Sequence, residues 1–197
     1  MMRGISGIPL ALRAALVVLA LSGTLVWMVV DRARLLDKGR EIVLKTEPVD
    51  PRDIFRGHYA RLVYGISRIP VELIEDLGPD GSAPRAAPIH VVLAPGEDGF
   101  WHPVRASLAP PRKVAPGRVV LKGRLKWNIS GTGERTATVT YGIERYYAPK
   151  ERALEIERLA RDRRIPLGVI VRVSPAGRAA IAGLMVDGRK IHEEPLW

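Results

Sequence analysis

The chain has no cysteine. That excludes a disulfide framework, a zinc–thiolate centre and a thiol nucleophile. It does not fix the compartment, because an exported protein can do without cysteine as readily as a cytosolic one. A Gly-rich phosphate loop is also missing. "GTGE" lacks the following Lys-Ser/Thr and the strand-to-helix setting that such a loop needs. Four histidines occur, at 58, 90, 102 and 192, and none stands two or four residues from another. A metal site would need long-range convergence with carboxylates such as Glu97, Asp98 or Glu193, so no metal and no cofactor is expected. A serine nucleophile with a lysine base is likewise hard to assemble. Ser22 lies inside an apolar run, Ser67 comes late, and Lys122 and Lys126 have no convincing serine partner. A signal-peptidase-like hydrolase, the alternative reading, therefore lacks its catalytic pair. No internal repeat is evident.

What is present fits a folded protein. The chain has 197 residues, 47% apolar and 26% charged, enough for one ordinary domain with room for an extra element. The formal net charge is +10. Only Arg3 and Arg13 precede Asp31, so the remainder carries 29 Lys and Arg against 21 Asp and Glu, or +8. These charges are scattered along the chain rather than grouped. Nucleic-acid binding is not expected, and a generally basic surface beside a membrane fits better.

The longest apolar run is "IPLALRAALVVLALSGTLVWMVV", Ile8 to Val30, interrupted only by Arg13. About 20 such residues suffice to cross the hydrocarbon. Arg13 can snorkel to the headgroups, and Trp27 suits the far interface. The run predicts one transmembrane helix. Ala20-Leu21-Ser22 would serve as a cleavage site, but the apolar run continues past it without a break. The short tail, single span and large following domain are the layout of a signal anchor. Counting only Lys and Arg, Arg32, Arg34, Lys38 and Arg40 after the span favour that side as cytoplasmic, but long domains translocate largely regardless of charge. From the layout we expect the tail inside and the domain on the periplasmic side of the inner membrane. "DRARLLDKG" continues the helix to a stop at Gly39. Residues 1–40 thus form the tail, anchor and extension, and 41–197 the soluble domain.

The soluble part reads as mainly β, a β-rich α+β domain with a compact antiparallel sheet, sandwich or partial barrel. "EIVLKTEPV" alternates as a strand. "VDPRDIFRG" is a turn-rich connector, with prolines that lack amide donors and aspartates that favour local turns. "HYARLVYGISRI" is the next strand, with Tyr59, Arg61 and Val63 on one face and Leu62, Tyr64 and Ile66 on the other. Short β-like runs follow: "IHVVLA", "FWHPVRASL", "GRVVLKGRLKWNI" and "RTATVTYGIERYY". Gly123 inside this pattern suggests a bulge or bend, and "SGTGE" a hairpin tip. "APKERALEIERLARDRR" is the one late helix, and "PLGVIVRVSPAGRAAIAGLMVDGRKI" closes the chain with strands.

Three segments together carry a family resemblance: "VDPRDIFRGHYARLVYGI", "YGIERYYAPKERALEIE" and "GRAAIAGLMVDGRKI". The chain resembles the GDYXXLXY family of bacterial membrane-anchored proteins, named for Gly-Asp-Tyr-x-x-Leu-x-Tyr. The motif falls on Gly57, His58, Tyr59, Leu62 and Tyr64, with His58 standing where the family name has Asp. The resemblance implies a single-span anchor and a soluble domain, often in genomic company with a multi-span membrane protein, and no established activity. On physical grounds Gly57 permits a tight turn into the strand. Arg52, Asp53 and Arg56 flank that turn and can pair with one another. Leu62 and Tyr64 share a face and suit a core, and the simplest reading of the motif is that it nucleates the first hairpin. Tyr59, with His58, Arg56 and Arg61, suits a surface contact. The expectation is a non-catalytic accessory protein whose β-rich domain meets a membrane-protein partner near the bilayer.

Overall fold

The computed structural model describes residues 9–47, 59–78, 83–84, 86–130, 135–147, 167–186 and 188–193. Helix α1 spans Leu10–Lys38. From Ala14 to Val30 every position is exposed, so among the described residues no other part of the chain covers the apolar run. Such a stretch needs lipid around it. Beyond Val30 the helix continues without a break, and there one side packs on the domain. Leu35 and Leu36 are buried with Ala180, and Ala182 packs beside them.

The helix stops at Gly39, as the sequence predicts, but the reason differs. Gly39 has φ −63°, which any residue can adopt. A Cβ there would lie 2.4 Å from the Leu35 carbonyl oxygen and 2.9 Å from Arg172 Cβ. Glycine is needed because the last turn of the helix and the sheet both crowd this position, not because the backbone turns left-handed.

The strands follow in order. They are β1 (Arg40–Glu47), β2 (Tyr59–Arg61), β3 (Val63–Tyr64), β4 (Arg68–Pro70), β5 (Pro88–Pro95) and β6 (Trp101–Ser107). Next come β7 (Val119–Ser130), β8 (Thr136–Thr140), β9 (Arg145–Tyr147), β10 (Leu167–Val173), β11 (Ala179–Val186) and β12 (Arg189–Glu193). They make two five-stranded sheets, β12-β11-β10-β1-β3 and β4-β8-β7-β5-β6, and a two-stranded ribbon, β2-β9. All the paired strands run antiparallel. The inward faces share one apolar core. Ile42 and Leu44 of β1 and Val169 and Val171 of β10 meet Val91 of β5 and Leu121 of β7. Each such side chain contributes about 1.5–3 kcal/mol by leaving water. The sheets also touch at their margins, giving a near-barrel: the Lys122 amide donates to the Gly177 carbonyl at 2.8 Å, joining β7 to the β10–β11 turn.

Two expectations need correction. "HYARLVYGISRI" is not one strand. It is β2, β3, a 3-10 turn at Gly65–Ser67 and β4, each strand with a different partner. From Leu62 to Ile66 every second residue is still buried across the start of the turn, which is why the run reads as continuous. The turn carries the chain from the edge of one sheet to the edge of the other. Gly123 makes no bulge either. It pairs in register with Ile89. A Cβ there would lie 2.5 Å from Val139 Cγ1, so packing on β8 demands the glycine. The irregularity of β7 falls instead between Lys126 and Ser130. The predicted late helix, residues 148–164, and residues 131–134 of the predicted hairpin tip lie outside the described residues.

Candidate functional site at the motif ribbon

The chain has five tyrosines, and all of them fall in two short segments, at 59 and 64 and at 141, 146 and 147. The fold brings the segments together. Each contains Tyr-Gly-Ile, at 64–66 and 141–143. The Tyr64 hydroxyl donates to the Ile143 carbonyl at 2.7 Å, and the Tyr141 hydroxyl donates to the Ile66 carbonyl at 2.7 Å. Each tyrosine thus bonds the isoleucine of the other segment in a reciprocal clasp. Both phenols are buried. Burial first, and then the Glu144 carboxylate, push both phenols above their ordinary range. They stay neutral donors throughout the pH range in which proteins fold.

Glu144 completes the join. Its carboxylate accepts the Tyr141 amide and, at 2.9 Å, the Gly142 amide. Its backbone carbonyl accepts the Leu62 amide at 2.8 Å. Gly142 has φ +82°, a conformation that side chains other than glycine's strain to reach. Ser67, weighed above as a nucleophile, lies 8% exposed and takes the Tyr64 amide on its Oγ at 3.4 Å. It is a turn residue of the clasp.

Beside the clasp runs the β2–β9 ribbon, with Tyr59 opposite Tyr147, Ala60 opposite Tyr146 and Arg61 opposite Arg145. Two-residue alternation places positions 59, 61, 145 and 147 on one side of the ribbon. Tyr146 is on the other side, buried in the core. Arg61 and Arg145 are exposed.

Of the sequence-predicted site residues, Leu62 and Tyr64 belong to the core, Tyr59 lies in β2 and Arg61 is on the surface. Arg52, Asp53, Arg56, Gly57 and His58 lie outside the described residues. Sequence reasoning missed Arg145 and Tyr147. The signal was available, because "YGIERYY" echoes "YARLVYGI" in tyrosine spacing.

Two other polar groupings lie away from the ribbon. His90 and Ser107 face each other across β5 and β6, both buried. Asp76 lies near His90. These are the residue types of a hydrolase triad, but they are wired otherwise. Ser107 Oγ donates to the Ala109 carbonyl at 2.7 Å, and the Asp76 carboxylate accepts the Leu108 and Ala109 amides at 2.6 and 2.9 Å. Both fasten the chain after β6. At the other end of β6, His102 bonds Asp98 at 2.8 Å, and this bond holds the Asp98 carboxyl below its usual range. Among the described residues no three His, Cys, Asp or Glu side chains converge as a metal site.

Asp76 carries a pH prediction. Partial burial raises its carboxyl, but the backbone amides it accepts outweigh that and leave it below the ordinary value of 3.8. A depressed carboxyl adds stability above its unfolded value, and that stability is lost as pH falls through the folded one. Asp76→Ala should lower stability by about 1 kcal/mol at neutral pH, discounted for solvent exposure. The gap from wild type should narrow below about pH 4. Urea midpoints across pH check it, and a constant gap would refute the linkage.

A family model for GDYXXLXY proteins matches residues 21–184, which covers most of the anchor helix, the ribbon, the clasp and both sheets up to Leu184 in β11, leaving out β12. The chain belongs to the GDYXXLXY family. No curated protein and no solved structure matches it significantly. This GDYXXLXY protein is a single-pass membrane anchor carrying a β-rich extracytoplasmic domain. Its family motif is now divided by role. The Leu and the second Tyr build the core, while the first Tyr belongs to the ribbon beside them.

Proposed function

We propose that the GDYXXLXY protein is a non-catalytic accessory protein of the inner membrane, with its domain on the periplasmic side. The ribbon face, positions 59, 61, 145 and 147, docks a membrane-protein partner beside the bilayer. The observation that supports this is the composition of that face. Two tyrosines and two arginines stand in directly opposed pairs on a ribbon outside the two sheets. Tyrosine and arginine are the residue types that dominate binding energy at protein interfaces. The reciprocal clasp beneath keeps the ribbon in one conformation, which lowers the ordering cost of docking.

The test is photo-crosslinking in native membranes, with the reactive side chain at position 61 of the full-length protein. A defined adduct with a membrane protein is expected. It should fall about tenfold in a Tyr59→Ala/Arg145→Glu background, as for loss of a hot-spot contact. If adducts are absent, or persist undiminished in that background, the ribbon is not the docking face.

A further inference from the structure

One stretch of the chain carries basic residues without intervening acids. From Gly99 to Gly133 there are seven basic residues and no Asp or Glu. One of them, Arg105, is paired with Glu75. The others lie on the β6–β7 loop (residues 108–118) or along β7, and Arg112, Lys113, Arg118 and Lys122 are all exposed. So is Val114, at 38%.

Hydrogen bonds set the height of this stretch above the membrane. The apolar run ends at Val30, so Asp31 marks the hydrocarbon edge. Arg178 grips both oxygens of Asp31, one of them at 2.8 Å. That places the β10–β11 turn, Ser174 to Arg178, level with the headgroups. The Lys122 amide is bonded to Gly177 of this turn at 2.8 Å, so the start of β7 shares its level. The loop is tied in separately. Arg40, just past the helix end, donates to the carbonyls of Gly117 and Arg118 at 3.0 and 3.2 Å. From Asp31 to Lys38 the helix climbs about 11 Å, and the headgroup layer is about 5–8 Å deep. Long basic side chains span the remainder.

We propose that the β6–β7 loop and the start of β7 rest on the bilayer beside the anchor and bind the headgroups of anionic phospholipids. Arg112, Lys113, Arg118 and Lys122 supply the charge, and Val114 enters the interface. Charge complementarity within a Debye length of the surface carries the choice of lipid.

The absence of cysteine makes the test clean. Full-length Val114→Cys, labelled with an environment-sensitive fluorophore, is placed in nanodiscs holding either a third anionic lipid or neutral lipid alone. In anionic discs the emission should shift to the blue, with about threefold more quenching by lipids spin-labelled near the headgroup. Salt at about 1 M, where the Debye length is about 3 Å, should remove most of that gain. Arg112→Glu/Lys113→Glu should remove it too, with Lys122→Gln as a milder second variant. Equal signals in the two lipids, or signals indifferent to salt, would overturn the proposal. So would a shift that appears only in native membranes, which would mean that a protein covers the loop. The discs contain no partner membrane protein, so failure here leaves the ribbon proposal standing.

Discussion

Tyr64→Ala should destabilise the strand domain by about 4 kcal/mol, the cost of emptying a large core site. Tyr64 is wholly buried among the residues that both sheets share. Its hydroxyl also bonds the Ile143 carbonyl, so the milder Tyr64→Phe should still cost about 1–2 kcal/mol by leaving a buried acceptor unpaired. Tyr141→Phe should behave alike through Ile66. Because each hydroxyl fixes the segment that carries the other, the double variant should lose less than the two single losses combined, by at least about 0.5 kcal/mol. Denaturant midpoints of the detergent-solubilised full-length protein would measure all three. If Tyr64→Phe matches wild type, the clasp contributes nothing to stability.

Gly39→Val should be the most damaging change outside the core. The nearest obstacle to its Cβ is backbone, the Leu35 carbonyl, with Arg172 Cβ close behind. Neither can swing aside as a side-chain tip can. The same carbonyl accepts the Gly39 amide at 3.0 Å, so relief of the clash breaks the bond that ends the helix. Overpacking of this kind costs about 1–3 kcal/mol, and the loss should fall on the junction itself. We expect Gly39→Val to expose the segment around residue 39 to protease while the β domain stays folded. Gly23→Ala is the internal control. It lies in the same helix with nothing within 4 Å, and it should change neither stability nor cleavage. If Gly39→Val were as silent as Gly23→Ala, helix and sheet would not be in close contact.

Local pattern made much of this fold legible. The anchor shows in its apolar run, and β1, β10 and β11 show in their alternation. The stop at Gly39 was readable as a position, while part of its cause lay in Arg172, far along the chain. Long-range geometry hid the rest. The motif run looks continuous because β2, β3 and the turn after them keep the same parity of buried residues. Only the partner strands reveal the breaks. Gly123 looked like a bulge because sequence gives its freedom but not the Val139 methyl group that forbids a side chain. The tyrosine clasp depends on carbonyls 79 and 75 residues away. A basic surface beside the membrane was expected, but its place was not, because charges were read by their spacing along the chain, whereas the useful signal was the missing acids between them.

Helix α1 passes from lipid to protein with no slack segment between, and Asp31, Leu35 and Leu36 fasten it to the sheet along the way. The domain therefore has no leash. It turns when the anchor turns and leans when the anchor leans. A neighbour held in the same bilayer would approach it in two dimensions and find it at a nearly constant height.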